Sequence, residues 1–281
     1  MKKGLFVIED FDGVQKFLGT IGNRTANTVF AGHSLSSNEE GRSFTLTSSY
    51  KESEELMASG YAEGLKDLKK SKGCKIQTAS NSVKSIPHTS VVGFVPNIPN
   101  AIMGRPDTMI STERVKMKSK IVRIMYDCGA ACSVEAQKFV TAGKNLLDLI
   151  IMLELQGYRV HLDVCLIYAE KKQKGFCRIK VKDYRQAINP LKISYPLLHP
   201  SFFRRQGFRW LETCPEITEK NFSSGYGYPL RNCNPNGKST DACRSFLKSE
   251  GLLPDGYFFT NMYEAVDLSG EELAKAMGIK K

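Results

Sequence analysis

The residues best placed for chemistry lie around Asp127, which closes the apolar run of residues 121–126. Ligands of open α/β sheets bind beyond the carboxyl ends of the strands, so an aspartate at that position is a candidate acid or base. Cys128 and Cys132 flank the small-residue turn that follows, and a helix beginning there would lower the pKa of a nearby thiol. The structural alternative is that Asp127 caps the helix or accepts hydrogen bonds from the turn.

Other residue types that could do chemistry are scattered along the chain. His161 and Asp163 share one face of a predicted strand, as a hydrogen-bonded core pair would. The chain has 8 cysteines and 4 histidines, but it contains no Cys-x-x-Cys pair and no closely spaced zinc knuckle. The sequence therefore predicts reduced thiols, no metal and no cofactor. It favours a binding protein, with an enzyme as the alternative.

A strand–helix–strand unit is predicted to position Asp127. Apolar residues recur at helical spacing after Ser133, a predicted N-cap, and Gly157 is a predicted C-cap. A near-continuous apolar run follows, which is typical of a strand covered on both faces. The predicted parts are a strand over 115–126, a helix to about residue 156, a strand over 158–169, a charged turn over 170–175 and an antiparallel strand over 177–184.

The length and patterning predict an α/β fold, a three-layer sheet with helices, together with an N-terminal α+β part. We expect the N-terminal region to span residues 1–90 and a proline-rich packed loop to span 91–110. The α/β core then covers 111–281 and includes a loop-rich insertion over 213–256. No apolar run approaches the roughly 18–20 residues that cross a bilayer, and no secretory signal is found. We therefore expect a cytoplasmic protein with no membrane contact.

Positive charge is concentrated in the second part of the chain. The net charge is +11, and residues 111–281 carry nine of those charges. Alternating basic residues predict strands with one basic face, and an interleaved Phe/Arg/Trp segment adds a third basic group. Such faces solvate a sheet, bind nucleic acid or meet an acidic protein. The predicted basic surface consists of Arg114, Lys116, Lys118, Lys120, Arg178, Lys180, Lys182, Arg204, Arg205 and Arg209.

The segment 91–110 combines three prolines and two glycines with many apolar residues. This composition excludes a regular helix or a central strand. We expect the loop to pack on the core. The alternatives are that it covers a sheet edge or binds a partner. Its predicted binding residues are Phe94, Pro96, Pro99 and Ile102.

The strand, Asp127, turn, helix and strand together resemble the opening half of a von Willebrand factor A-type domain. In that family an Asp-x-Ser-x-Ser motif ends the first strand and helps hold a divalent metal. The matching stretch here is Asp127-Cys128-Gly129-Ala130-Ala131, in which only the aspartate is kept. The resemblance therefore implies the fold of such a core without its metal site. A Rossmann-like core is the alternative, although no Gly-x-Gly-x-x-Gly loop is present.

Three blocks of the chain are similar to uncharacterised proteins of tailed phages and prophages. They cover residues 44–64, 93–109 (GFVPNIPNAIMGRPDTM) and 143–160. The resemblance implies a phage protein expressed in the cytoplasm of a bacterial host, and it assigns no activity. We expect an accessory or anti-defence protein that binds and blocks a host protein complex, such as a defence nuclease system. A nucleic-acid-binding protein and a virion or assembly component are the alternatives. The sequence is also compatible with a homo-oligomer.

Overall fold

A computed structural model describes residues 5–26, 32–37, 39–66, 83–116, 120–169, 173–217, 226, 228–234 and 237–279. The chain divides into two compact units. Unit 1 comprises residues 1–75 and 121–281, and unit 2 comprises residues 76–120.

The strands and helices are numbered in chain order. The strands are β1 (Leu5–Phe11), β2 (Val83–Ser90), β3 (Val95–Pro96), β4 (Met109–Lys116), β5 (Ile121–Asp127), β6 (Arg159–Ala169), β7 (Gln173–Lys182), β8 (Tyr228–Pro229) and β9 (Tyr257–Asn261). The helices are α1 (Val14–Asn23), α2 (Glu39–Thr45), α3 (Tyr50–Ser59), α4 (Ile98–Ile102), α5 (Ala136–Leu155), α6 (Pro190–Leu198), α7 (Phe208–Thr213), α8 (Leu230–Cys233), α9 (Thr240–Ser249), α10 (Met262–Asp267) and α11 (Gly270–Ala276). Residues Phe202–Gly207 form a π-helical segment that leads directly into α7.

The main sheet of unit 1 has the strand order β1-β7-β6-β5-β9, and β8 pairs with the end of β6. Strand β5 lies parallel to both of its neighbours, β6 and β9, while β7 runs antiparallel to β6. The carboxyl ends of β5, β6 and β9 therefore meet at one edge. Asp127 sits at that edge and faces Asn261 in the β5–β9 register.

Apolar cores cover both faces of this sheet. Ile124 and Tyr126 of β5 pack on one face with α5, while Met125, between them in sequence, packs on the other face with α9. Strand β6 alternates in the same way, and its residues from Leu162 to Ala169 are all buried. The predicted three-layer α/β arrangement over this region is confirmed as a sheet flanked by helices.

Helix α5 ends where its sequence predicts. Gly157 has a φ of 85°, a conformation that glycine adopts without the steric cost of a side chain. The Tyr158 N–H donates to the Leu153 carbonyl and the Gly157 N–H donates to the Glu154 carbonyl, so the helix closes in a Schellman motif. The predicted Ser133 cap is wrong: the helix begins two residues later, after Glu135, which makes no side-chain cap hydrogen bond.

Unit 2 is a small sheet of order β2-β4-β3 with the short helix α4. The predicted strand over 115–126 is wrong as one element, because β4 belongs to unit 2 and β5 to unit 1. The predicted boundaries at residues 90 and 110 also differ from the observed units. The reason is long-range pairing: β1 joins the main sheet by lying parallel to β7.

Within the predicted N-terminal region, residues 67–82 lie outside the described residues, and residues 83–90 form β2. Parts of the expected loop-rich insertion of 213–256 are also outside them, and α8 and α9 form within the rest. In the described part of the chain, no helix combines the length and the apolar character that a membrane crossing requires.

Candidate functional site

Asp127 is held inside the fold at the carboxyl edge of the sheet. Its side chain is 3% exposed, and its Oδ1 accepts a hydrogen bond from the Gly129 N–H at 2.9 Å. Burial raises the pKa of Asp127 to about 7, although the hydrogen bond from Gly129 opposes the change. Asp127 therefore accepts a hydrogen bond from the turn, as expected if its role is structural. Its carboxyl group titrates near neutrality.

The two cysteines beside Asp127 differ. Cys128 is buried and Cys132 is exposed. Burial raises the pKa of the Cys128 thiol well above its usual range, so the expected lowering by the helix N-terminus is wrong for this residue. Cys128 is a protonated core thiol, and Cys132 is the cysteine of this turn that faces solvent.

His161 and Asp163 form the pair that their spacing predicts. His161 Nε2 lies 3.0 Å from Asp163 Oδ1. The histidine ring meets Tyr257 edge-on, with ring centroids 5.9 Å apart. The pair belongs to the packing around β6 and β9, which supports a structural role.

Most of the predicted basic surface in unit 1 is paired with acids. Arg178 contacts Asp10 at 2.8 Å, Lys180 contacts Asp12, and Arg209 lies 3.7 Å from Glu212. Asp10 and Asp12 come from β1 and the turn that follows it. The parallel pairing of β1 with β7 therefore brings acids beside the basic residues, which local sequence patterning does not reveal.

Three of the predicted surface cations are inside the fold. Lys182 is 2% exposed, and its Nζ lies 2.7 Å from Glu154 Oε1. Arg204 and Arg205 are each 1% exposed. The predicted surface placement of these three residues is wrong. The π-helical segment turns both arginines toward backbone carbonyls of residues 34–47 and 134, and Lys182 donates to Glu154 and to the Val160 carbonyl.

The remaining members of that set lie in unit 2. Lys120 is exposed. Lys118 lies outside the described residues, as do the side chains of Arg114 and Lys116. Binding by the ten basic residues as a group stays a prediction.

A cavity of about 970 Å³ opens beside the turn that follows β5. Its walls come from α2, the start of α5, the π-helical segment and β8. Arg204, Arg205 and Phe203 are buried in it, whereas Cys132, Glu135 and Tyr228 are exposed at its rim. The sequence gives no local sign of this cavity, because the residues that line it lie far apart in the chain and no motif marks them.

The apolar loop of unit 2 is ordered by backbone hydrogen bonds and exposes its side chains. The Phe94 N–H donates to the Ile110 carbonyl at 3.0 Å, and the Asn97 N–H donates to the Thr108 carbonyl at 2.7 Å. Asn97 also caps α4 by accepting from the Asn100 N–H. The expected packing of this loop is wrong for its side chains, because Phe94, Pro96, Pro99 and Ile102 are all exposed.

The exposed apolar surface of this loop is defined here as the unit 2 patch. Its side chains each expose between 60% and 81% of their area. The unit 2 patch consists of Val91, Val92, Phe94, Ile98, Ile102 and Met103.

One group in unit 1 has the composition of a metal site. Ligand atoms of Glu9, Cys214 and Glu216 lie within 4.8 Å of one another. The Glu9 carboxylate, however, accepts from Arg24 and from the Trp210 indole. Burial also raises the pKa of the Cys214 thiol to about 12. The Cys214 thiol donates to Glu216 Oε2 at 3.2 Å, so hydrogen bonds and the Arg24 ion pair already account for the closeness of these three groups.

Comparison with known proteins identifies the family of the chain. Residues 6–278 match the profile of DUF7192, a domain of unknown function. The chain belongs to this family. No curated protein and no solved structure matches it.

Proposed function

We propose that the protein is a non-enzymatic binding protein that docks on a host protein through the unit 2 patch. The observation that carries the proposal is the exposure of those six apolar side chains within residues 91–103. Clustered exposed apolar surface marks interaction sites in soluble proteins, whereas single exposed apolar residues need no explanation. In the described part of unit 1, the exposed large apolar residues are dispersed along the chain.

The backbone under the unit 2 patch is fixed before any partner binds. A side chain at Gly93 would place its Cβ 2.2 Å from the Ile110 carbonyl oxygen, so the strand contact at this point needs glycine. Pro99 stands in the first turn of α4, where it costs no helical hydrogen bond. Asn100 Nδ2 donates to the Asp107 carbonyl at 3.0 Å and closes the loop. A preorganised surface loses little entropy on binding, which favours affinity.

The charge of unit 2 indicates the chemistry of the partner. Residues 76–120 contain six basic and two acidic residues, so their formal net charge is +4. An apolar patch in such a unit is complementary to an apolar groove with an acidic rim. Phe94 is the sole Phe, Tyr or Trp in that stretch. A mainly aliphatic patch offers few rings for base stacking, which favours a protein partner over nucleic acid.

The biological setting is part of the same proposal. The resemblance of three blocks to phage and prophage proteins supports a phage protein that acts in the host cytoplasm by occupying and blocking a host complex. The parallel β5–α5–β6 unit and the antiparallel β7 support a core like that of a von Willebrand factor A-type domain.

The test compares matched variants of the full chain in a host lysate treated with nuclease. Ile98→Glu with Ile102→Glu changes the unit 2 patch, and Ile8→Glu with Leu155→Glu is the control on exposed apolar residues of unit 1. We expect one stoichiometric protein partner that the wild type and the control retain and the patch variant loses. Equal recovery with the patch variant, or recovery of no stoichiometric protein partner from the nuclease-treated lysate, contradicts the proposal.

A further inference from the structure

The cavity of unit 1 has the size, walls and charge of a site for a small aromatic anion. We propose that it binds a nucleoside monophosphate or a closely similar aromatic phosphate, with the ring against the aromatic wall and the phosphate toward Arg204 and Arg205. This site lies in unit 1 and does not depend on the unit 2 patch.

The volume and position of the cavity suit a ligand of that size. At about 970 Å³ it lies at the upper end of the roughly 300–1,000 Å³ found for small-molecule pockets. It also lies beyond the carboxyl end of β5, the edge at which open α/β sheets bind ligands. A ligand could enter from solvent at the exposed rim and contact the buried side chains of the floor.

Aromatic rings form much of the wall. Phe208 and Tyr226 stack with their centroids 4.2 Å apart and their planes 9° apart. Tyr168 and Phe203 stack at 5.6 Å and 10°. Phe44 faces Phe208 at 6.3 Å. Rings held in place by their neighbours provide flat surfaces on which a planar ligand can stack.

The floor of the cavity carries positive charge that acids do not neutralise. Arg204 donates to the carbonyls of Phe44 and Val134 and stacks on the Phe44 ring, with its guanidinium carbon 3.8 Å from the centroid. Arg205 donates to carbonyls of Ser34, Ser36 and Thr47 and to the Thr47 hydroxyl. Among the described residues, neither arginine forms an ion pair. A buried cation without an anion is costly, so a phosphate in the cavity would be stabilised by both charges.

Two further features of the same cavity favour an anionic ligand. Residues Ser133 to Ala136 line it at the start of α5, a long helix whose N-cap makes no side-chain hydrogen bond. Free N–H groups and the helix dipole attract anions at such a terminus. In addition, Arg204 Nε and the Tyr168 hydroxyl are buried and lack a hydrogen-bond partner among the described residues. Both side chains line the cavity, and a ligand that reached either group would supply the partner it lacks.

Isothermal titration calorimetry on the full chain tests the proposal with AMP and UMP as probes. Adenosine and inorganic phosphate are titrated separately, because each satisfies only one part of the site. We expect saturable binding of at least one nucleotide, about tenfold or more tighter than adenosine or phosphate alone, which corresponds to about 1.4 kcal/mol. No saturable binding up to about 1 mM, or phosphate binding as tightly as the nucleotide, overturns it.

Matched variants locate the site. Cys132→Trp places a large ring at the exposed rim of the cavity, and Lys138→Trp places the same ring on the exposed side of α5 outside the lining. We expect Cys132→Trp to weaken nucleotide binding by about tenfold or more and Lys138→Trp to leave it unchanged. Both positions are exposed, so circular dichroism should show both variants folded. Equal binding by the two variants would show that the nucleotide binds elsewhere and would overturn the assignment.

Discussion

Unit 1 and unit 2 use apolar residues in opposite ways. Unit 1 buries them in cores on both faces of its sheet, with Leu146, Leu162 and Trp210 fully inaccessible. Unit 2 fixes its backbone with strand and turn hydrogen bonds and leaves Phe94 and Ile102 in solvent. An apolar segment therefore forms a core only where a second layer covers it. Where hydrogen bonds already order the backbone, the same residues are available to a partner.

The largest expected effect concerns the buried carboxyl of unit 1. The pKa of Asp127 is about 7 in the folded chain against an ordinary 3.8, so the folded protein holds a proton that the unfolded chain releases. The stabilisation is complete below about pH 4 and is lost as the pH rises through about 7. The gap of roughly three pH units corresponds to about 4 kcal/mol.

Asp127→Asn removes this titration and keeps an oxygen that accepts from Gly129. We expect the variant to be more stable than the wild type at pH 8 by up to about 4 kcal/mol, with a flatter pH profile. Urea unfolding between pH 4 and pH 8 measures both curves. Parallel curves for the two proteins would show that Asp127 is ionised in the folded state.

The second effect compares a buried and an exposed lysine of unit 1, both on β7. Lys182 Nζ donates to Glu154 Oε1 at 2.7 Å and to the Val160 carbonyl at 2.9 Å, and all of these groups are buried. Lys182→Met leaves Glu154 with Arg159 at 3.7 Å as its remaining cation. We expect a loss of about 3 kcal/mol in the free energy of unfolding, measured in urea at neutral pH.

Lys180→Met is the matched control, two residues away on β7. Lys180 pairs with an exposed aspartate, Asp12. Exposed ion pairs contribute about 0–1 kcal/mol, so the control should cost less than about 1 kcal/mol. Equal losses for the two variants would mean that Lys182 is not the buried partner of Glu154.

A third, smaller effect concerns the backbone order of unit 2. Gly93→Ala forces the new Cβ against the Ile110 carbonyl, and relief of such overlap costs about 1–3 kcal/mol. We expect faster hydrogen exchange at the amides of Phe94 and Asn97, with protection in β6 unchanged. Gly22→Ala is the control, since a Cβ there meets open space. Unchanged exchange at Phe94 would show that the loop does not depend on this contact.

The smallest change in the free energy of unfolding is expected for an exposed apolar side chain of the unit 2 patch. Ile102 is 81% exposed, so Ile102→Ser should change the free energy of unfolding by no more than about 0.5 kcal/mol. A chemical unfolding curve measures this. A loss of several kcal/mol would mean that Ile102 is packed, and the apolar surface of unit 2 would then be part of a core.

Several elements could be predicted from local sequence. The apolar run of β6 and the Gly157 stop of α5 each depend on residues close together in the chain. The buried arginines could not be predicted in this way. Their interleaving with Phe and Trp resembles a nucleic-acid surface, and the carbonyls that hold them come from segments more than 60 residues away.

The candidate sites show the same limit. The proline-rich segment and its four named residues were visible in sequence, but their exposure depends on whether another layer covers them. The cavity of unit 1 depends on folding residues 33–45, 130–136 and 203–208 around one space. Spacing along the chain carries no signal for that arrangement.

Site-specific photo-crosslinking tests whether unit 2 is the docking region. A photoreactive phenylalanine analogue replaces Phe94 or Ile102 in the full chain, and the same analogue at Leu155 of unit 1 is the control. After irradiation in host lysate with nuclease, we predict one shared protein adduct from positions 94 and 102 and none from 155. Mass spectrometry should map the adduct to an apolar groove with acidic residues at its rim. Different adducts from the two patch positions, or the same adduct from position 155, would show that unit 2 is not the docking region.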